Sequence, residues 1–308
     1  MKNLIIQNRM GIGDMVIFLP YVEAISKNFN NPITLLVKES SKADQYLMNN
    51  NHIEKIINLK RSNKKNDVHD GFFGFFRLIN DLKKHSFDQA FIFNSSLRYN
   101  IISRLAKIKD IYQYPLFKKK NQHIINTANK FLKKTINLDV RNDPTIEIKD
   151  HSINDAKLKY QMFDDNLNIL LGIGGSGPTK RIPAKTFINL IELIVNYRNC
   201  KFFLATGKNK DEKKILDEIL NSNFGKRCIS LNELSIREIL PIIKNCNISI
   251  CNDSSFSHLS AALGKNTIVL MSDTPLLYGT YSSKMHPIIP DGENNVSHDT
   301  LGKDKINP

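Results

Sequence analysis

The sequence predicts an α/β protein made of two doubly wound parallel-sheet domains. Short apolar runs of strand length alternate with helical stretches, and the whole pattern occurs twice. A chain of 308 residues is long for one typical domain and comfortable for two. Its 41% hydrophobic and 24% charged content is that of an ordinary globular protein.

The first half opens with NLIIQN (3–8), a strand-length apolar run. GDMVIFLPYVEAISKNF (13–29) follows with helical spacing at Val16, Leu19, Val22 and Ile25. ITLLVKE (33–39) reads as a strand, and SSKADQYLMNN (40–50) as a helix capped by serine. IEKIINL (53–59), GFFGFFRLINDLKKH (71–85), DQAFIFN (88–94) and SLRYNIISRLAKI (96–108) continue the alternation. A short strand near 110–116, a basic loop KKKNQ (118–122) and a helix near 123–134 complete it.

The second half repeats the plan. Strands are expected at 168–174, 201–207, 228–231, 248–253 and 266–272. Helices are expected at 184–197, 210–222, 235–246 and 255–264. Residues 141–166 hold one strand candidate, TIEI, and a polar helical stretch. The domain boundary is placed there, giving domains 1–150 and 151–308. Ligands of doubly wound sheets bind at strand carboxyl ends, so the site is expected in the cleft between the domains.

Bulk properties narrow the class. No apolar stretch approaches the roughly 20 residues that span a bilayer. The start, MKNLIIQNRMGIGD, lacks the pattern of a secretory leader, so a cytoplasmic chain is expected. Cys200, Cys228, Cys246 and Cys251 form no C-x-x-C pair and read as reduced, buried thiols. The net charge of +14 is lopsided: residues 1–150 carry 25 Lys/Arg against 14 Asp/Glu, residues 151–308 carry 19 against 16. A basic half suits a polyanionic partner, while general solubility explains it equally well. No nucleic-acid motif accompanies the scattered basic residues, so no nucleic-acid partner is expected.

Three loops carry the chemistry. In RMGIGDMV (9–16), Asp14 sits near a first helical turn. Position alone favours a cap; a carboxylate there also suits proton abstraction from a substrate hydroxyl. In LLGIGGSGPTKRIP (170–183), Gly172, Gly174 and Gly177 spell the dinucleotide fingerprint. Its context disagrees. Pro178 and Pro183 bar an immediate helix, and Thr206 and Lys208 stand where a ribose-binding acid belongs. Lys180 fits a departing diphosphate, and fits a solvated loop charge as well. In ICNDSSFSHLSAALG (250–264), Asp253, Ser254 and Ser255 precede a helix whose free N–H groups form an anion site. His258, one turn in, could aim at the same anion or be structural.

Together, RMGIGDMVIFLP (9–20), GGSGPTKRIPAKTF (174–187) and NDSSFSHLSAALG (252–264) resemble the motifs of the family 9 glycosyltransferases, the bacterial heptosyltransferases of lipopolysaccharide synthesis and their relatives. The resemblance implies a GT-B fold, two Rossmann-like domains facing across a cleft. The acceptor would bind mostly to the first domain and the nucleotide sugar to the second. It implies metal-independent, inverting transfer from a nucleotide diphosphate sugar such as ADP-heptose, with no cofactor, to a glycan or glycolipid such as the lipopolysaccharide core. Asp14 would be the general base. Gly174, Gly175, Ser176 and Lys180 would form the donor-phosphate loop, with Ser176 and Lys180 binding the phosphates. Asp253 would hold sugar hydroxyls, with Ser254, Ser255 and His258 at the diphosphate or sugar. Asp211 or Glu212 would lie near the ribose, and Leu234 would line the base pocket. A basic first domain suits peripheral contact with the inner face of the membrane.

The chain departs from the family pattern at Ser255 for glycine, Ile182 for tryptophan and MSDTPLLYG (271–279) for G-P-T-D-P. A further C-terminal helix is expected where the sequence ends in KDKINP. Two other classes are weighed beside the transferase. A dinucleotide oxidoreductase lacks its acid near 205–208, and a non-catalytic relative would not need Asp14, Lys180 and Asp253 together. A nucleotide-sugar epimerase on the same scaffold is the alternative.

Overall fold

A computed structural model describes the chain apart from residues 9–10, 62–66, 117–123, 164–165, 272–280 and 290–308. The basic loop at 118–122, most of the segment at 271–279 and the terminal KDKINP lie outside the described residues. The chain divides into two units, Met1–Asn142 and Asp143–Pro308.

The first unit is a five-stranded sheet, all of whose pairings are parallel. Its strands are β1 (Asn3–Gln7), β2 (Ile33–Lys38), β3 (Ile53–Leu59), β4 (Gln89–Ile92) and β5 (Asp110–Gln113). Its helices are α1 (Ile12–Ile17), α2 (Leu19–Phe29), α3 (Ala43–Tyr46), α4 (Gly71–Lys83), α5 (Leu97–Leu105) and α6 (Ile124–Ile136). The order β3-β2-β1-β4-β5 puts the first strand in the middle. Every residue of β1 and of β4 is buried, as a parallel sheet covered on both faces requires.

The helix expected at 13–29 is two helices that part at Phe18. Pro20, in the first turn of α2, has no N–H to continue the ladder from α1. The helix expected at 40–50 is a 3-10 turn, Glu39–Ser41, and the four-residue α3. Lys42 separates them in the left-handed region, φ 49°, which ends a regular helix at that point.

The second unit is a six-stranded parallel sheet of order β11-β10-β9-β6-β7-β8. Its strands are β6 (Leu167–Gly172), β7 (Cys200–Ala205), β8 (Cys228–Ser230), β9 (Ile248–Asn252), β10 (Thr267–Leu270) and β11 (Met285–Ile288). Its helices are α7 (Asp150–Lys159), α8 (Ala184–Val195), α9 (Lys210–Leu220), α10 (Ile236–Asn245) and α11 (Ser255–Ala262). Ile169, Leu171, Phe187, Ile191, Phe202 and Leu204 form its core between β6, β7 and α8.

The TIEI segment at 145–148 joins no strand. It packs on the second unit instead: the Ile146 N–H donates to the Ala262 carbonyl at 3.0 Å. Asp143 accepts from the Ser282 and Ser283 hydroxyls at 2.9 and 2.8 Å. These bonds explain why residues from 143 onward belong to the second unit.

Candidate functional site

In each sheet the order of strand addition reverses beside the first strand, the place where doubly wound folds open a crevice. In the second unit the reversal lies between β6 and β9, whose registers run from Ile169↔Ile248 to Gly172↔Cys251. Both chemistry-bearing loops of this unit leave from that pair.

The loop after β6 begins against the neighbouring strand. A Cβ on Gly172 would stand 2.7 Å from the Cys251 sulfur, so glycine permits the close strand approach. Asn252 donates from Nδ2 to the Ile173 carbonyl at 2.9 Å and ties the two loops together. Gly174 and Gly175 are equally confined. A Cβ on the first would meet the Glu212 carboxylate at 2.5 Å, and one on the second the Lys180 carbonyl at 2.7 Å. Pro178–Lys180 form a 3-10 turn rather than an α-helix, as the two prolines dictate. Ser176 is exposed on this loop.

Lys180 reaches from that turn to the other loop. Its ammonium lies 2.5 Å from Asp253 Oδ2, with side chains 17% and 3% exposed. Asp253 is anchored through its N–H to the Leu270 carbonyl at 3.2 Å. Ser254 is the N-cap residue of α11, extended at φ −145°, yet its hydroxyl makes no cap bond. That Oγ is buried and has no hydrogen-bond partner. Thr206 Oγ1, at the end of β7 beside Gly174, is in the same condition. Buried hydroxyls left unpaired cost about 1–3 kcal/mol each, a cost a ligand oxygen can remove. Ser255 opens α11, half-buried.

His258 is buried on α11. Its Nδ1 lies 2.6 Å from the Tyr281 hydroxyl, and the two rings stack at 5.5 Å and 16°. Burial, with Asp143 and Asp253 nearby, pushes the Tyr281 phenol well above its usual range. It therefore stays protonated, able to donate to the imidazole. Tyr281 escaped the sequence reasoning because a lone tyrosine between strands carries no motif; only the fold brings it to His258.

Asp211 and Glu212 face different tasks. Glu212 is buried, at the third position of α9, and its Oε1 accepts the Gly175 N–H at 2.7 Å. Its Oε2 accepts from Asn209 Nδ2 at 2.5 Å, while Asn209 caps the Glu212 N–H at 2.9 Å. This carboxylate shapes the glycine loop. Asp211 is exposed and pairs with Arg181 at 2.8 Å. Leu234 is half-buried in the turn between β8 and α10, just ahead of the Ser235–Glu238 capping box.

In the first unit the reversal lies between β1 and β4. Asp14 sits at the third position of α1, half-buried, and accepts the Gly11 N–H at 3.1 Å. The cap is thus real. It engages Oδ2 and does not preclude proton chemistry at the same carboxylate. The buried Tyr46 phenol is raised by burial, then by Asp44 and Asp14.

All four cysteines are free: Cys200, Cys246 and Cys251 are buried and Cys228 is half-buried. Burial pushes the Cys251 thiol up to about 12 and that of Cys228 up to about 11, so neither is a ready nucleophile at neutral pH. Among the described residues no group of three or more His, Cys, Asp or Glu could hold a metal ion. Among the described residues no helix is long and apolar enough to cross a membrane.

The fold and this crevice define a class: a two-unit, doubly wound α/β protein that presents a lysine and a helix N-terminus at a strand switch point. Residues 75–289 match glycosyltransferase family 9 (heptosyltransferase), and the chain belongs to that family. It is a glycosyltransferase with the GT-B architecture. The loops at 174–181, 211–212 and 252–258 lie inside the matched segment, whereas Asp14 precedes it.

The chain is 24% identical over 261 residues to lipooligosaccharide heptosyltransferase 2 of Campylobacter jejuni serotype O:2, covering 79% of this chain and 76% of that protein. It is 26% identical over 144 residues to lipopolysaccharide heptosyltransferase 1 of Campylobacter coli, a match that spans 46% of this chain and 42% of that relative. The solved E. coli ADP-heptose LPS heptosyltransferase II superimposes with a TM-score of 0.73, covering 94% of this chain and 90% of that one. At 17% identity that likeness is one of fold.

Proposed function

We propose that the protein transfers a heptose-like sugar, with inversion and without a metal, from a nucleotide diphosphate donor to a lipopolysaccharide-type glycolipid. The observation that carries this is the Lys180–Asp253 pair beside the unpartnered Ser254 hydroxyl at the β6–β9 switch point. An ammonium has three donors, so Lys180 can serve Asp253 and a phosphate oxygen together. The N-terminus of α11 adds N–H groups and the positive end of its dipole. Ser254 gains the partner it lacks.

In this reading Asp14 takes the proton from an acceptor hydroxyl as that oxygen forms its bond to the anomeric carbon. The bond from carbon to the diphosphate breaks, and the leaving charge is neutralised by Lys180 and the α11 N-terminus. Ser176 and the Gly174–Gly175 backbone contribute to the phosphate cradle, and Ser255 and His258 border it. Asp253 orients both Lys180 and sugar hydroxyls. Leu234 and Asp211 border the nucleoside, while Glu212 holds the loop from behind. No cofactor is needed for this displacement. The family relatives named above support ADP as the nucleotide and a glycolipid as the acceptor. The protein works at the cytoplasmic face of the membrane that carries that acceptor.

Isothermal titration with ADP, UDP and GDP tests the donor half. ADP is expected to bind best, and failure of all three to bind the folded protein would sink the proposal. Transfer undiminished by EDTA is the expected result for metal independence. Conversion of donor alone, without acceptor, would point to an epimerase instead.

A further inference from the structure

We propose that the outward face of α4 is a docking surface for an anionic lipid bilayer. α4 buries Gly74, Leu78, Ile79 and Leu82 against the first sheet. An amphipathic helix should then show water a polar face. Here the opposite face begins with Phe72, Phe73 and Phe76, which are 72%, 78% and 45% exposed. The rings form one patch: Phe72 lies 5.0 Å from Phe76 and 5.9 Å from Phe73, both edge-on. Single exposed apolar residues are ordinary; three joined aromatic rings mark an interaction site.

The patch is held ready. Gly71, at φ +63°, starts the helix from a left-handed turn. Gly74 rests directly on the His69 backbone, where any side chain would collide. The His69 carbonyl accepts from Arg98 Nη2 at 2.9 Å, and its Nδ1 accepts the Lys60 N–H at 3.0 Å. Arg61 pairs with Asp70, the N-cap residue, at 3.0 Å. The aromatic rings therefore project from a braced turn, and little order remains to be imposed on docking.

Charge selects the occupant. Further along the same exposed face stand Arg77, Lys83 and Lys84. The unit that carries them, residues 1–142, has 24 Lys/Arg against 11 Asp/Glu. A symmetric pairing of this face with a second copy would oppose like charges. An anionic bilayer accepts both parts: headgroups attract the cations while the rings enter the interface. The inference deepens the proposed work on a membrane-borne acceptor and rests on that reading.

The test is co-sedimentation of the full chain with vesicles. One set contains phosphatidylglycerol with phosphatidylethanolamine, the other phosphatidylcholine alone. The wild type is expected to bind the anionic set and not the neutral one. Binding should fall about tenfold or more in the F72S/F73S/F76S variant, and also in R77E. These residues are exposed, so both variants should fold and bind ADP as the wild type does. Wild-type-like vesicle binding by the triple variant would overturn the inference, as would a wild type that ignores anionic vesicles. A wild-type dimer that the triple variant dissolves would overturn it in favour of a second copy. Vesicle binding that follows the expected pattern in a protein that binds no nucleotide would instead fell the transferase reading and leave the surface standing.

Discussion

The Lys180 ammonium and the Asp253 carboxylate meet at 2.5 Å across the mouth of the β6–β9 switch point. Seventy-three positions separate them in the chain. The pair fixes the glycine loop to the start of α11 and holds a cation at the place proposed above for the donor diphosphate. Lys180→Met should leave a nearly buried carboxylate without its partner, at a cost of about 2 kcal/mol, because the lysine retains some solvent screening. Adding Asp253→Asn to it should restore much of that stability, as thermal melts of the single and double variants would show. Nucleotide affinity should fall in both. Melts in which the two losses simply add would refute the coupling.

Ser254→Ala separates binding from folding. Its hydroxyl has no partner in the fold, so the melting temperature should hold or rise slightly. ADP affinity should fall about tenfold, the worth of one hydrogen bond to a charged group. A stability loss with unchanged affinity would show the hydroxyl to be structural.

Glu212→Ala should loosen the glycine loop. It deletes the acceptor of the Gly175 N–H and of the Asn209 amide in a buried place, at about 1–3 kcal/mol. Glu212→Gln keeps one carbonyl acceptor and should lose less. Hydrogen exchange at Gly175, faster in the alanine variant than in the glutamine one, is the direct readout.

Asp14→Asn should keep nucleotide affinity and lower transfer by about 100-fold to 10,000-fold, the usual worth of a general base. The amide still offers an oxygen to the Gly11 N–H, so the α1 cap survives. Transfer near the wild-type rate would remove Asp14 from the mechanism.

Alkaline pH should unfold the protein through its buried phenols. Burial raises Tyr21, Tyr46 and Tyr281 above the ordinary tyrosine value. An unfolded chain ionises them near pH 10, while the folded one keeps them neutral. Their contribution is complete below about pH 10 and is lost as pH rises toward the raised values. Tyr46→Phe, whose hydroxyl has no partner in the fold, should flatten the decline of melting temperature above about pH 10. An unchanged slope would show that Tyr46 ionises equally in both states.

Much of this protein could be read along the chain. Strand and helix periods are local, so the strand–helix alternation and the prolines at 178 and 183 declare themselves. The prolines ruled out a dinucleotide helix after Gly177, and the 3-10 turn follows from them. Helix breaks were harder. The apolar spacing of residues 13–29 continues through Phe18, so Pro20 is the local sign of that break, and nothing in the period of residues 40–50 announces the left-handed turn at Lys42.

The residues of the crevice were named from the sequence; their partners were not. The resemblance placed Asp211 or Glu212 near the ribose, and the fold adds a contact it did not foretell: Glu212 accepts the Gly175 N–H. Tyr281 carried no signal at all, and the helical stretch 71–85 did not tell which of its phenylalanines would face water. Sequence period tells which side chains share a face, but burial depends on what lies opposite, which is set by strand order. Placing β9 beside β6 joins segments about eighty residues apart and thereby makes Lys180 and Asp253 neighbours. Leaving the outer face of α4 uncovered puts its aromatic rings in solvent. Both outcomes arise from long-range packing, which no local pattern encodes.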